Sequence, residues 1–225
     1  MEWNEIKKRM TTNKKPKEWW GDSNNAEVWL EIIKMHERID GFKSDYVQQI
    51  EIICEEIKKR EKDFQNIIEV GGGDGRNIGN ISERFKNIEC YSVDINQELS
   101  KFVNKKYSKV KTIIADIIKL PFEDNSFDLV FTFQTLQHIP PEEINLALKE
   151  LMRISKKEIW LYERRDGAPF DQKSKALGGS FVYYFDQIIR EYNSKNNSKF
   201  ECYKTTTPIN NYGSFEGIML YKIKK

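Results

Sequence analysis

Cysteine is scarce in this chain. Cys54, Cys90 and Cys202 stand far apart, odd in number and without a Cys-x-x-Cys pair, which argues against a disulfide framework and a thiolate zinc site and suits a reducing cytoplasm. An excess of one charge is also missing: 37 lysines and arginines face 35 acids, leaving a net charge of +2 over 225 residues. A nucleic acid is therefore not expected as a partner. No run approaches the roughly 18 apolar residues that cross a bilayer, and the opening Met-Glu-Trp-Asn lacks the apolar core of a signal peptide, so a soluble protein without membrane insertion is expected. Internal repeats and low-complexity segments are absent. Tryptophan is almost missing after residue 29: Trp3, Trp19, Trp20 and Trp29 crowd the start, and Trp160 alone serves the remainder. The early tryptophans either pin that segment to a core, their commoner fate, or wall a substrate pocket. Trp19 and Trp20 are the candidates for the second role.

What is present reads as an alternation of strands and helices. Apolar positions from Ala26 to Ile39 follow helical spacing and stop at Asp40-Gly41; a second amphipathic helix runs from about Ser44 to Glu61. With the basic opening they form a helical cap over residues 1–62, ahead of a domain over 63–225. His36 lies on the apolar side of the first helix and reads as packed. Strands follow at Ile67 to Val70, Ile88 to Val93, Val110 to Ala115, Phe127 to Phe133 and Glu158 to Tyr162, separated by helices at Ile78 onward, Asn96 to Lys106 and Glu142 to Ile154, the last opened by Pro140 and Pro141. A glycine-containing loop leads to a helix from about Ser180 to Tyr192, and two strands close the chain. Such alternation gives an α/β fold with a mostly parallel sheet and helices on both faces. The last two strands are joined too tightly for a parallel crossover, so one must be antiparallel.

The most informative stretch is Glu69-Val-Gly71-Gly-Gly73-Asp-Gly75, where a strand meets a cluster of glycines and a helix begins. Glycine there admits backbone angles closed to side chains and lets a ligand touch the main chain, while the following helix offers positive dipole and free N–H groups to an anion. Asp94 ends the second strand nineteen residues after Gly75, close to the roughly 20 that place an acid on a ribose diol. A strand-end cap facing water is the plain alternative for Asp94 and for Asp116, which ends the third strand.

In these residues the chain resembles the class I, seven-stranded Rossmann-like methyltransferases that use S-adenosylmethionine, from about Phe64 onward. The glycine stretch is similar to the family's acidic-x-Gly-x-Gly-x-Gly loop and Asp94 to its ribose-binding acid. Ala115-Asp116-Ile117 with Leu120-Pro121-Phe122 resembles the adenine-contacting turn, and Ser126 to Phe131 with Leu136-Gln137-His138-Ile139 the fourth strand and its exit. The resemblance implies S-adenosylmethionine as cofactor and a closing antiparallel hairpin. It implies that the glycine-loop N–H groups of Gly71, Gly73 and Gly75 take the methionine carboxylate, with carbonyls near Gly71 and after Phe133, next to Gln134, taking the ammonium. Asp94 would hold both ribose hydroxyls, Ile95 and Ile117 would flank the adenine, Asp116 would accept from its amine, and Glu69 would order the loop from behind. His138 is the candidate base, and Glu163, Arg164 and Arg165 leave the fifth strand where an acceptor could be oriented.

Phe133-Gln134-Thr135-Leu136 lacks both the Asp-Pro-Pro-Tyr type of motif used on nucleobase amines and an acid to hold a divalent metal. The expected acceptor is a small molecule: a sugar, a natural-product intermediate or a lipid-like compound. A nicotinamide oxidoreductase on a related fold and a non-catalytic subunit that merely binds the methyl donor are the rival readings; the oligomeric state is not indicated.

Overall fold

The computed structural model describes residues 3–10, 14–38, 50–164, 181, 183–211 and 214–224. Helices α1 (Trp3–Met10), α2 (Pro16–Gly21) and α3 (Asn24–Arg38) come first, then a helix α4 over 50–58. The sheet is built from β1 (Asn66–Val70), β2 (Glu89–Asp94), β3 (Val110–Ile114), β4 (Phe127–Phe133), β5 (Ser155–Arg164), β6 (Glu201–Asn211) and β7 (Ser214–Lys224). Between them lie α5 (Arg76–Arg84), α6 (Gln97–Lys106), α7 (Ile144–Ile154) and α8 (Phe185–Asn196). The order across the sheet is β3-β2-β1-β4-β5-β7-β6, with β7 antiparallel to both neighbours and the β1 to β5 pairs all parallel. The expected α/β class and the single antiparallel closing strand are what is seen.

Successive side chains of a strand point to opposite faces, and both faces here are apolar. Ile68 and Val130 join α7 and α8 on one side, with Leu148, Leu151 and Ile189. Ile67, Leu129 and Phe131 join α4, α5 and Val103 of α6 on the other. Each fully buried branched or aromatic side chain contributes about 1.5–3 kcal/mol, so the central strands β1 and β4, buried on both sides, anchor the crevice at their C-terminal ends. Chain order reverses between β1 and β4, and such a switch point is where open α/β sheets hold their ligands.

Several boundaries differ from those read in the sequence. Pro140 and Pro141 do not form the first turn of α7: Glu143 and Ile144 donate to the Pro140 carbonyl in a preceding turn, and the helix starts at Ile144. Helix α8 begins at Phe185, later than the expected Ser180. The helix α4, assigned to the cap, buries Ile53, Cys54 and Ile57 in the same cluster as Ile67, Trp160 and Leu220. It therefore covers the sheet, and the part that stands apart is α1 to α3, with its own small core of Ile6, Trp19, Val28 and Ile32. The Asp40-Gly41 stop, the start of the second helix and the glycine loop after β5 lie outside the described residues, as do the side chains of Trp3 and His36. Among the described residues no helix is long and apolar enough to cross a membrane.

Candidate active site

The glycine elbow adopts the conformation that required it. Gly71, Gly73 and Gly75 have φ of 77°, 55° and 71°, where other residues are strained. The packing is as exacting as the angles. A β-carbon on Gly71 would stand 2.2 Å from the Thr135 methyl, and one on Gly75 would stand 2.7 Å from Val103.

Asp94 closes on this elbow. Its Oδ2 accepts from the Gly73 N–H at 2.8 Å and its Oδ1 from the Asn96 N–H at 2.8 Å. Burial pushes its carboxyl up from the usual range, and the N–H groups of Asn96, Gly73 and Ile95 pull it back. Asn96 in turn caps α6, accepting from the Glu98 and Leu99 N–H groups at 3.0 and 3.2 Å.

Glu69 is buried behind the elbow, where Oε1 accepts from Asn77 Nδ2 at 2.8 Å and Oε2 from the Ile78 N–H at 3.1 Å. It ties the end of β1 to the first turn of α5. Burial raises its pKa to about 8, against the pull of those two donors.

The glycine N–H groups make hydrogen bonds within the elbow. The N–H groups of Gly71 and Gly72 donate to the Val93 carbonyl at 2.8 and 3.0 Å, that of Gly73 to Asp94, and that of Gly75 to the Gly72 carbonyl at 2.9 Å. These glycine donors hold the elbow's own shape.

The exit of β4 forms the opposite wall. Gln134 turns the chain with φ of 52° and donates its N–H to the Tyr162 carbonyl at 2.8 Å, while Phe133 stacks on the Tyr162 ring at 5.6 Å. Thr135, not singled out in the sequence, reaches across with its hydroxyl 3.3 Å from the Gly71 carbonyl and 3.4 Å from that of Phe133. These are the carbonyls expected to take an ammonium. His138 ends the short helical turn Leu136–His138, its ring 4.9 Å from that of Trp20.

Glu163 supports the β4 exit through Oε1, while its buried Oε2 has no partner among the described residues. It is 2% exposed, and its Oε1 accepts from the Thr132 hydroxyl at 2.9 Å and from the N–H groups of Thr135 and Leu136 at 3.2 and 3.1 Å. A carboxylate turned inward at the end of β5 fixes the β4 exit from beneath, and burial raises its pKa to about 7. Arg164 is the last residue of β5; its side chain and Arg165 lie outside the described residues.

The first three helices roof the crevice. Asn96 Nδ2 donates to the carbonyls of Trp20 at 2.9 Å and Asp22 at 3.2 Å. A β-carbon on Gly21 would stand 3.7 Å from the Ile95 side chain. The Lys17 ammonium pairs with Asp116 and lies 3.8 Å from Glu143. Asp116, expected to receive an adenine amine, thus already holds Lys17 with Oδ2 and the Ile118 N–H, at 3.3 Å, with Oδ1. Ile95 is half-buried under the roof, whereas Ile117 sits 7% exposed in the α7-side core. Trp19 is buried and donates to the Arg9 carbonyl at 3.2 Å, so it pins the roof, and Trp20 faces the site, packed edge-on against Trp19 and Trp29.

Residues 68–162 match the family described as "Methyltransferase domain". The match covers less than half of the chain. The matched stretch runs from β1 to β5 and contains the elbow, Asp94 and the β4 exit; the roof lies outside it. Phosphoethanolamine N-methyltransferase 2 of Caenorhabditis elegans is 33% identical over 142 residues, covering 59% of this chain and 32% of that protein. The ubiquinone/menaquinone biosynthesis C-methyltransferase UbiE of Rickettsia prowazekii is 34% identical over 101 residues, 40% of each. The chain therefore spans about a third to two fifths of the length of these relatives. Among solved structures, magnesium protoporphyrin IX methyltransferase from Synechocystis PCC 6803, with bound S-adenosylmethionine, superposes with a TM-score of 0.60 at 14% identity, covering 81% of each chain. That likeness shows the fold, a Rossmann-like and mostly parallel sheet.

Proposed function

We propose that this chain is an S-adenosylmethionine-dependent methyltransferase acting on a small-molecule acceptor. The observation that carries the reading is the 2.8 Å hydrogen bond from the Gly73 N–H to Asp94. It joins the elbow and the strand-tip acid into one wall at the C-terminal ends of β1 and β2, so that a ligand with an amino-acid end and a ribose end can lie along both. Two features support the fit: the approach of the Trp29 indole nitrogen to Gly73, and the place of Asp94 at the tip of β2 beside the elbow.

A sulfonium methyl donor bound there supplies an electrophilic carbon with a neutral thioether as leaving group. The chain's own residues then have to align a nucleophile and exclude water. The roof of α1 to α3 excludes water, Asp94 fixes the ribose, and Gln134 and Thr135 shape the wall beside the reacting carbon. Trp20 and His138, whose rings lie 4.9 Å apart, give the acceptor side an aromatic lining. That lining favours a compound with an apolar or planar body, such as a natural-product intermediate or a lipid-like acceptor. The buried thiols of Cys54 and Cys90 suit a reducing cytoplasm.

Calorimetry with S-adenosylhomocysteine tests the reading: saturable heat is expected, and its absence defeats the proposal. A mass-spectrometric screen of cell extract should then show a 14-Da gain that requires both protein and methyl donor. His138 is the proposed base for a hydroxyl or protonated amine. His138→Ala is expected to bind S-adenosylhomocysteine as the parent does and to turn over about 10²- to 10⁴-fold more slowly; unchanged turnover removes it from that role.

A further inference from the structure

Among the described residues the roof carries two polar atoms that have no partner: the indole nitrogens of Trp20 and Trp29, both sealed from solvent. Buried tryptophan N–H groups ordinarily find an acceptor, because leaving one unmet costs roughly 1–3 kcal/mol. Their position is informative. Trp29 Nε1 stands 3.4 Å from where a β-carbon on Gly73 would lie, at a glycine whose φ of 55° strains other residues.

The elbow itself is short of donors. Its glycine N–H groups are committed to Val93, Asp94 and Gly72. The nearby guanidinium of Arg76 is held by Asp74 at 2.9 Å. A carboxylate arriving beside Gly73 meets the Trp29 N–H, a buried donor with no acceptor among the described residues. The roof is fastened in register for this by Asn96, which sits two residues past Asp94 and grips the Trp20 and Asp22 carbonyls, and by the edge-on contact of Trp29 with Trp20 at 5.2 Å.

We propose that the indole N–H of Trp29 receives the carboxylate at the amino-acid end of the cofactor, so that the N-terminal roof takes part in cofactor recognition as well as covering it. This rests on the methyltransferase reading above. It assigns to a residue outside the matched domain a contact that the glycine loop was expected to make. A full-chain protein lacking the N–H should therefore lose affinity only for ligands that carry the carboxylate.

The test compares S-adenosylhomocysteine with 5′-methylthioadenosine, which keeps the adenosine and sulfur but lacks the amino-acid end, by calorimetry on the full chain and on Trp29→Phe. The variant is expected to bind S-adenosylhomocysteine about tenfold or more weaker, the effect of a hydrogen bond to a charged group, with 5′-methylthioadenosine unchanged. Equal affinities for S-adenosylhomocysteine in both proteins, or an equal loss for both ligands, overturns the assignment while leaving the cofactor reading intact. Parent protein that binds neither ligand overturns both. Should Trp29→Phe not fold, the ¹H–¹⁵N spectrum of the parent decides: one indole signal should move downfield with S-adenosylhomocysteine and stay in place with 5′-methylthioadenosine, and no such signal overturns the proposal.

Discussion

Replacing Asp94 by alanine is expected to weaken S-adenosylhomocysteine binding by about 1–3 kcal/mol, roughly 5- to 150-fold in Kd, the scale for losing hydrogen bonds to a charged acceptor. The structure adds a second consequence. The same carboxylate accepts from the Gly73 and Asn96 N–H groups, so its loss strands two backbone donors and loosens the elbow before any ligand arrives. Asn96 also holds the roof through the Trp20 and Asp22 carbonyls, so disturbance at Asp94 passes to both walls of the crevice. The variant should therefore melt at a lower temperature as well as bind less tightly, and binding must be measured well below that midpoint. Parent-like affinity in a folded Asp94→Ala protein would take the ribose contact away from this residue.

The fold was legible where local signals and burial agree. Strand β4 is Phe127–Phe133 as read, because a continuous apolar run flanked by turn residues has few other solutions when both faces are covered. The positive φ angles at Gly71, Gly73 and Gly75 likewise follow from where glycine was placed. Periodicity showed that α4 has an apolar face but not what lies against it, so a helix that covers the sheet was assigned to the cap. The start of α7 was misplaced because a proline pair is equally at home in a turn. In the site, side-chain direction was the missing quantity. Glu163 looked free to meet an acceptor at a strand end, yet it turns inward to hold the β4 exit. Asp116 could not be seen to pair with Lys17, 99 positions earlier, nor Thr135 to fill the hollow at Gly71. The crowding of early tryptophans was a usable signal for the roof, but only coordinates show which indole nitrogen lacks an acceptor.

Two acids buried on opposite sides of the crevice should make stability fall as pH rises across the neutral range. Glu69 and Glu163 have their pKa values raised to about 8 and about 7, chiefly by burial, against roughly 4.3 in an unfolded chain. Between about pH 4.5 and those values the native protein retains protons that the unfolded chain has released. Stability therefore declines with rising pH by up to about 1.4 kcal/mol per unit for each such proton. Carboxylates held low by a partner act in a different window: Glu150, hydrogen-bonded to Arg153, is lowered, and its contribution is lost as pH drops below about 4.5. Thermal midpoints measured from pH 5 to 8.5 should thus decrease, and Glu69→Gln and Glu163→Gln, which cannot ionise, should each flatten the slope. The absolute midpoint of Glu69→Gln is not diagnostic, because its amide presents a donor to either Asn77 or the Ile78 N–H. A flat parent profile, or variants with the parent's slope, would mean that the donors around these two carboxylates outweigh their burial. In that event both walls of the crevice would be held by charged acceptors at neutral pH.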